Sequence, residues 1–250
     1  MHRLGIDIGG SGIKAAVVDT SDGSLVTERR RVKTPRARTP EAIATAVGEL
    51  FRTFDSDGPV GVSFPAVVVD GEVRTAGNLD ASWRRTDGAG LLRSATGRDC
   101  VLLNDADAAA IAEVRLGAGR GLAGKVIVVT IGTGLGSGVV QDGVLIPNFE
   151  FGRMLGHDGE PVEFFAGDRA RKRDGLGWKE WGRRFDYFLA RLARVAAPDH
   201  IILGGGASKK FAKFRDVLTI DVPIRVATFR NNAGIVGAAL AASPPAADTS

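Results

Sequence analysis

The sequence predicts an α/β protein of two similar lobes, and three observations carry that prediction. Strand-like apolar runs alternate with segments of helical periodicity along 250 residues. The chain repeats itself at about half its length. Ile6-Asp7-Ile8-Gly9 falls onto Val129-Thr130-Ile131-Gly132, and Val17 and Asp19 fall onto Val140 and Asp142, all at a separation of 123. Each copy reads as strand, glycine turn, strand, so each lobe would offer one glycine hairpin to a cleft between them. The expected boundaries are 1–107 for the N-terminal lobe and 108–242 for the C-terminal lobe, whose last helix is free to pack back on the first. Residues 243–250, rich in Pro and Ala, read as a disordered tail.

The elements follow in order. Residues 4–9 and 15–19 are two strands joined by Gly9-Gly10-Ser11-Gly12, with Asp22-Gly23 as the next turn signal, so the chain opens on a β-hairpin and not on a strand-to-helix unit. A third strand is expected from Leu25 to Lys33. Thr39-Pro40-Glu41 starts a helix, with Thr39 as cap, Pro40 at the first helical position and Ile43, Ala46, Val47 and Leu50 on one face. Val60 to Phe64 is a buried strand ended by Pro65, and Asn104-Asp105 leads from the apolar Val101-Leu102-Leu103 into an alanine-rich helix. Val126 to Ile131 is a buried strand, and Gly175 to Ala197 a long helix whose Trp181, Phe185, Phe188, Leu189 and Leu192 form a core stripe. Ile201-Ile202-Leu203 is one more strand, closed by a Gly204-Gly205-Gly206 turn, and Asn231 to Ala241 is a helix of small residues.

Composition narrows the function. With 44% hydrophobic and 25% charged residues the chain is globular. No apolar run reaches the ~18 residues of a membrane span, and no signal-peptide pattern opens the sequence, so a cytoplasmic protein is expected. One cysteine, Cys100, and three scattered histidines argue against a zinc site. The net charge of +4 suits an anionic ligand, but no basic and aromatic interleaving marks a nucleic-acid face.

The glycine loops carry the chemistry. Neither the Walker A spacing nor the Rossmann fingerprint is present, because a hairpin follows the first loop where a helix would be required. What remains is a turn whose N–H groups can face oxyanions, with Ser11 as a further donor and Lys14 as a charge. Asp7, set in an apolar strand, must face a cavity or a cation, since burying a lone carboxylate costs several kcal/mol. At a phosphate site that cation is Mg²⁺, held through water. Asp105 sits where α/β folds place ligands and is the candidate base for a hydroxyl nucleophile, although Asn104 and Asp105 would also serve as plain helix caps. Asn78 and the Asn148-Phe149-Glu150-Phe151-Gly152-Arg153 loop offer polar groups of the kind carbohydrate hydroxyls need; taken singly, each would be a surface turn.

Asp7-Ile8-Gly9-Gly10-Ser11-Gly12-Ile13-Lys14, Asn104-Asp105-Ala106-Asp107-Ala108-Ala109, Ile131-Gly132-Thr133-Gly134-Leu135-Gly136-Ser137-Gly138, Glu150-Phe151-Gly152 and Leu203-Gly204-Gly205-Gly206, in this order, resemble the ROK sugar kinases of the actin-like ATPase superfamily. The variant Ala166-Gly167-Asp168-Arg169-Ala170-Arg171, which stands where the family usually has a cysteine-rich zinc motif, looks most like the actinobacterial polyphosphate glucokinases. The resemblance implies an actin-like ATPase fold of duplicated ribonuclease-H-like halves. It also implies phosphoryl transfer from polyphosphate or ATP to the 6-hydroxyl of glucose or a related sugar, and a homodimer; Mg²⁺ and the absence of zinc are the expectations drawn above from Asp7 and from the cysteine and histidine content. By the same resemblance Asp105 is the general base, and Asn78, Asn104 and Glu150 bind sugar hydroxyls. Gly9, Gly10, Gly12 and Lys14 with Gly132, Thr133 and Gly134 hold the donor phosphates, and Gly204, Gly205 and Gly206 lie on the donor side. Arg153 stands where the family has a histidine that contacts the sugar. A guanidinium has no acceptor nitrogen, which leaves open another polyol or sugar, or compensation by His157. A sugar-sensing relative without catalysis is the rival reading. Arg169, Arg171, Lys172, Arg173, Lys179, Arg183 and Arg184 with Lys209, Lys210 and Lys213 would line a track for a polyanion, or form an ordinary solvated face.

Overall fold

The computed structural model describes residues 1–243. Within them the chain forms two compact units, the first of residues 1–112 with 232–243, the second of residues 113–231. The division falls inside a helix, five residues beyond the expected boundary, and the last helix belongs to the first unit. Apart from Ser243, the tail expected to be disordered lies outside the described residues.

In the first unit β1 (His2–Ile8), β2 (Ile13–Asp19) and β3 (Arg30–Val32) form an antiparallel ribbon. Helix α1 (Pro40–Phe51) begins as the sequence predicts, with Thr39 accepting from Ala42 N–H and with Ile43, Val47 and Leu50 buried. β4 (Val60–Phe64) runs parallel to β1. A small three-stranded sheet of β5 (Val68–Val69), β6 (Glu72–Val73) and β7 (Thr86–Asp87) precedes α2 (Gly88–Thr96). β8 (Cys100–Asn104) then pairs parallel to β4 and passes directly into α3 (Asp105–Leu116). The main sheet is therefore ordered β3-β2-β1-β4-β8. The third strand is shorter than expected. Leu25 makes one isolated bridge to Val18, and the Thr27 hydroxyl takes the Val17 N–H that a continuing ladder would use.

The second unit repeats this order. β9 (Lys125–Ile131), β10 (Leu135–Gln141) and β11 (Val144–Ile146) form the ribbon. Helices α4 (Glu163–Ala166), α5 (Asp168–Arg173) and α6 (Trp178–Ala196) follow, then β12 (His200–Gly204), α7 (Gly205–Ser208) and β13 (Ile224–Val226). The sheet is ordered β11-β10-β9-β12-β13, with the ribbon antiparallel and the last two strands parallel, as in the first unit. All five residues of the α6 stripe are fully buried, each worth about 1.5–3 kcal/mol as a removed apolar side chain. The repeat is not uniform. β1 maps onto β9 at a separation of 123, but the second glycine turn is one residue shorter, so Ile13 matches Leu135 at 122 and Asp19 matches Gln141. The triple glycine is not a simple turn: Gly204 ends β12 and Gly205 opens α7.

Helix α8 (Ala233–Ala241) explains its own composition. It packs on β1 and β4 so closely that a methyl on Gly5 would meet the Ile235 carbonyl and one on Gly61 the Ala238 carbonyl, while Gly237 lies against the Ala108 carbonyl of α3. Only small residues permit backbones to approach this far. The start of α8 also reaches the end of β1, where a methyl on Gly234 would lie 2.9 Å from an Asp7 carboxylate oxygen.

Candidate active site

In the first glycine turn every carbonyl has a donor. The Gly9 carbonyl accepts from the Thr34 hydroxyl at 2.6 Å, that of Gly10 from the Arg38 guanidinium at 3.2 Å, and that of Ser11 from the Arg31 guanidinium at 2.7 Å. The Gly12 carbonyl accepts from Gly9 N–H at 3.1 Å. Among the described residues the N–H groups of Gly10, Ser11 and Gly12 donate to no protein atom. Carbonyls drawn onto cations, with N–H groups left over, form a concavity suited to oxyanions.

Asp7 and Lys14 face each other across the β1–β2 ladder and pair at 3.0 Å through Asp7 Oδ2 and Lys14 Nζ. Ser63 donates to the other Asp7 oxygen at 3.3 Å. The sequence suggests separate tasks for these two residues, on metal and on phosphate; in the structure they pair with each other. Mg²⁺ keeps several waters and takes one or two carboxylates, so a single, partly buried Asp7 suits contact through water better than direct ligation. Among the described residues no three His, Cys, Asp or Glu side chains gather as a metal site.

At the end of β8, Asn104 is buried and occupied in structural bonds. Its Oδ1 accepts from Ala106 N–H at 2.8 Å and Asp107 N–H at 3.2 Å, capping α3, and its Nδ2 donates to the Ala66 carbonyl at 3.1 Å. Asp105 is exposed as the first residue of α3, where the positive end of a helix favours a carboxylate. Asn78 is an exposed loop residue whose carbonyl accepts from Arg38 at 2.7 Å. Arg38 therefore spans the first glycine turn and the Asn78 loop with one guanidinium. Its own carbonyl accepts from the Trp83 indole at 2.9 Å, and its backbone is left-handed at φ 53°.

In the second unit the turn is Gly132-Thr133-Gly134, closed by Gly132 N–H on the Gly134 carbonyl at 3.1 Å. Glu163, at the start of α4, fills the space a methyl on Gly134 would need. One of its oxygens accepts from Leu135 N–H at 3.3 Å and the other lies 3.5 Å from Arg153 Nε. Gly205 is left-handed at φ 76°, and a Cβ there would come within 2.6 Å of Ile131 N, so α7 begins directly against the root of this turn. The Glu150 loop is held by the buried Ser137 hydroxyl, which donates to the Phe149 carbonyl at 2.8 Å and accepts from Phe151 N–H at 2.9 Å. Gly152 lets that loop lie against the Leu135 carbonyl. Burial pushes the Glu150 carboxyl above its ordinary value; Arg153 draws it down and Glu163 pushes it up. His157 is exposed and rests edge-on against Phe165 at 5.3 Å and Tyr187 at 5.9 Å.

Comparison with known proteins fits this geometry. The ROK family model matches residues 3–157. Across 241 residues the chain is 41% identical to a polyphosphate glucokinase of Mycobacterium tuberculosis, covering 96% of this chain and 91% of the relative. The chain belongs to the ROK family. Among solved structures it is similar to the inorganic polyphosphate/ATP-glucomannokinase of Arthrobacter sp. strain KM, with a TM-score of 0.92, 42% identity and coverage of 96% of this chain and 98% of the other. It is also similar to a ROK family glucokinase of Streptomyces griseus solved with glucose and AMPPNP, with a TM-score of 0.83, 26% identity and coverage of 96% and 98%. The fold is that of the actin-like ATPases, as its two like-ordered sheets indicate. No helix of the described residues is long and apolar enough to cross a membrane.

Three residues that shape the site in this ROK chain are not marked by its sequence. Arg38 and Glu163 carry no local signal, because their partners are distant in sequence; Ser137 stands among the glycines of the second turn region as one more small residue. The expected basic track is divided. Asp168 takes Arg171 and Lys172, each at 2.7 Å, and Asp174 takes Arg173 and Arg184, each at 2.6 Å. Burial works against ionising Asp168, but Lys172 and Arg171 together hold it below the usual carboxylate range.

Proposed function

We propose that this ROK family protein moves a phosphoryl group from inorganic polyphosphate or ATP to the 6-hydroxyl of glucose or a related hexose. The observation that most supports the reading is the near full-length similarity, at 41% identity, to a polyphosphate glucokinase. In this reading the sugar lies against Asn78, Asn104, Glu150 and Arg153, and its hydroxyl faces Asp105. The exposed Asp105 carboxylate takes the hydroxyl proton as the hydroxyl attacks the terminal phosphorus, while the bridging P–O bond breaks and the shortened polyphosphate, or ADP, leaves with that oxygen. The free N–H groups of Gly10, Ser11 and Gly12, in the turns formed with Gly9 and by Gly132, Thr133 and Gly134, would hold the donor phosphates with the charge of Lys14, and Gly204 to Gly206 lie on the donor side. Asp7 would hold Mg²⁺ through water; that ion, when bound, supplies charge neutralisation for the donor. A cytoplasmic homodimer belongs to the same reading, and mass measurement in solution tests the dimer.

Replacing Asp105 with Asn tests the base. Turnover should fall about 10²–10⁴-fold with the melting temperature and sugar affinity near wild type; retained turnover would remove Asp105 from the mechanism. A second reading concerns the acceptor. Arg153 is paired with Glu163 and lies in the field of Glu150, an arrangement that favours a hexose or polyol other than glucose. A grid of polyphosphate and ATP against glucose, mannose and polyols, repeated with Arg153→His, decides it. Higher glucose turnover in the variant would favour the altered pocket; lower turnover would mean that arginine serves glucose.

A further inference from the structure

A polyphosphate donor is longer than the few phosphates that two glycine turns can hold, so the rest of its chain must lie along the protein or trail in water. Of the ten basic residues that the sequence offered for such a path, four are neutralised by Asp168 and Asp174, and a fifth, Arg169, is exposed next to Asp168 on α5. Lys179, Arg183, Lys209, Lys210 and Lys213 are different. All five are exposed, and among the described residues none of them meets a carboxylate within ion-pair distance.

Packing brings together the segments that carry these five. Gly205 lies against Ile131 at the root of the second glycine turn, and α7 carries the chain away from it, rising about 6 Å over four residues. Lys209 and Lys210 follow at once, and Lys213 stands next to Phe214. The Phe214 ring sits 4.9 Å from that of Trp181 and 6.2 Å from that of Trp178, both on α6. At Gly182 the two segments touch: a Cβ there would lie 2.8 Å from Phe214 Cβ and 2.7 Å from Val217. Lys179 and Arg183 flank Gly182 on the same helix, three residues before it and one after. Of the acidic groups nearby, Asp186 accepts from the Thr219 N–H and hydroxyl at 2.7 and 2.8 Å, Asp216 pairs with Arg215 at 3.2 Å, and Glu180 is exposed on α6 between Lys179 and Arg183. The segment that carries Lys209, Lys210 and Lys213 thus runs from the root of the glycine turn to the part of α6 that carries Lys179 and Arg183.

We infer that Lys209, Lys210 and Lys213, continued by Lys179 and Arg183, form the surface along which inorganic polyphosphate runs beyond the glycine turns. The inference rests on the donor reading above. A polyanion with a negative charge on every phosphate complements such a row, whereas the triphosphate of ATP is too short to use its far end. The cations contribute affinity and capture, and none takes part in the chemical step.

The test is the triple variant Lys209→Ala, Lys210→Ala, Lys213→Ala beside wild type, with long polyphosphate, tripolyphosphate and ATP as donors. The expected result is a KM for long polyphosphate raised about tenfold, kcat unchanged, and KM values for tripolyphosphate and ATP within about twofold of wild type. Arginine at the three positions should restore the long-chain KM, and Lys172→Ala with Arg173→Ala should leave it unchanged. An unaltered long-chain KM, or an equal rise for all three donors, would overturn the inference. Calorimetric binding of long polyphosphate separates this from failure of the transfer reaction. If wild type binds the chain and the triple variant loses it, the track stands even where no sugar is phosphorylated; equal binding by both removes it.

Discussion

The two glycine turns occupy the same place in two like-ordered sheets, yet they are dressed with opposite charge. The first is ringed by Arg31, Arg38 and Thr34, which take its carbonyls and leave its N–H groups for an anion. The second is shorter by one residue and has the Glu163 carboxylate packed on Gly134. Duplication supplied one backbone design twice, and side chains from outside each repeat made the copies unequal. The first turn is built to receive negative charge. The second is tied through Glu163 to Arg153, and so joins a phosphate-type turn to the Glu150 loop.

Substitutions can break this contrast. The largest effect is expected from Gly205→Ala, which places a methyl against the Ile131 backbone in a left-handed conformation. A loss of about 2–4 kcal/mol in unfolding free energy follows from strain and overpacking combined, read by chemical denaturation. A variant as stable as wild type would show that α7 can move off the turn. Arg38→Ala comes next. It should raise KM for both donor and sugar about tenfold, since one guanidinium loses two charge-assisted bonds, while Arg38→Lys should recover only part because a point charge cannot fork. A change confined to one substrate would break the link between the Gly10 turn and the Asn78 loop. Gly10→Ala sharpens the comparison further: a methyl at Gly10 meets nothing within 4 Å, so the melting temperature should hold while donor KM rises several-fold, about 1 kcal/mol in binding. Unchanged donor KM would mean that phosphate does not approach Gly10.

The smallest effect is in pH. Because burial raises the Glu150 carboxyl, the folded protein holds that proton more tightly than the unfolded chain does. The stability it contributes is therefore present below the ordinary value of 4.5 and lost as pH rises through the raised one. If Glu150 accepts from the sugar in its ionised form, as proposed, sugar binding should fail on the acid side at a higher pH than a free glutamate would give. Arg153 draws this carboxyl down, so Arg153→Ala should move the acid limb of sugar affinity upward. An acid limb that does not move would take Arg153 out of the Glu150 field.

Much of the fold could be read from the sequence because its signals are local or periodic. The Thr39 cap, the α6 stripe and the two hairpins all announce themselves within about twenty residues. The shortened β3 could not be seen, since the Thr27 hydroxyl replaces a ladder bond without altering the strand-like pattern. The missing residue in the second turn was also hidden, because a repeat at 123 still places valine on valine while the pairing runs at 122. At the site, backbone-bearing glycines were legible and the cations and carboxylates that govern them were not. Arg38 meets Gly10 across 28 residues and Glu163 meets Leu135 across 28, with nothing in either neighbourhood to mark the pairing. The basic run illustrates the converse: composition showed charge, but only the structure showed which charges Asp168 and Asp174 had already taken.

The most direct measurement is phosphorus NMR of the protein with Mg²⁺, glucose and long polyphosphate, and separately with ATP. The account predicts a growing sugar 6-phosphate resonance with shortening of the donor, and its loss in Asp105→Asn. Donor hydrolysis to inorganic phosphate with no sugar phosphate from glucose, mannose or any polyol tried would contradict it.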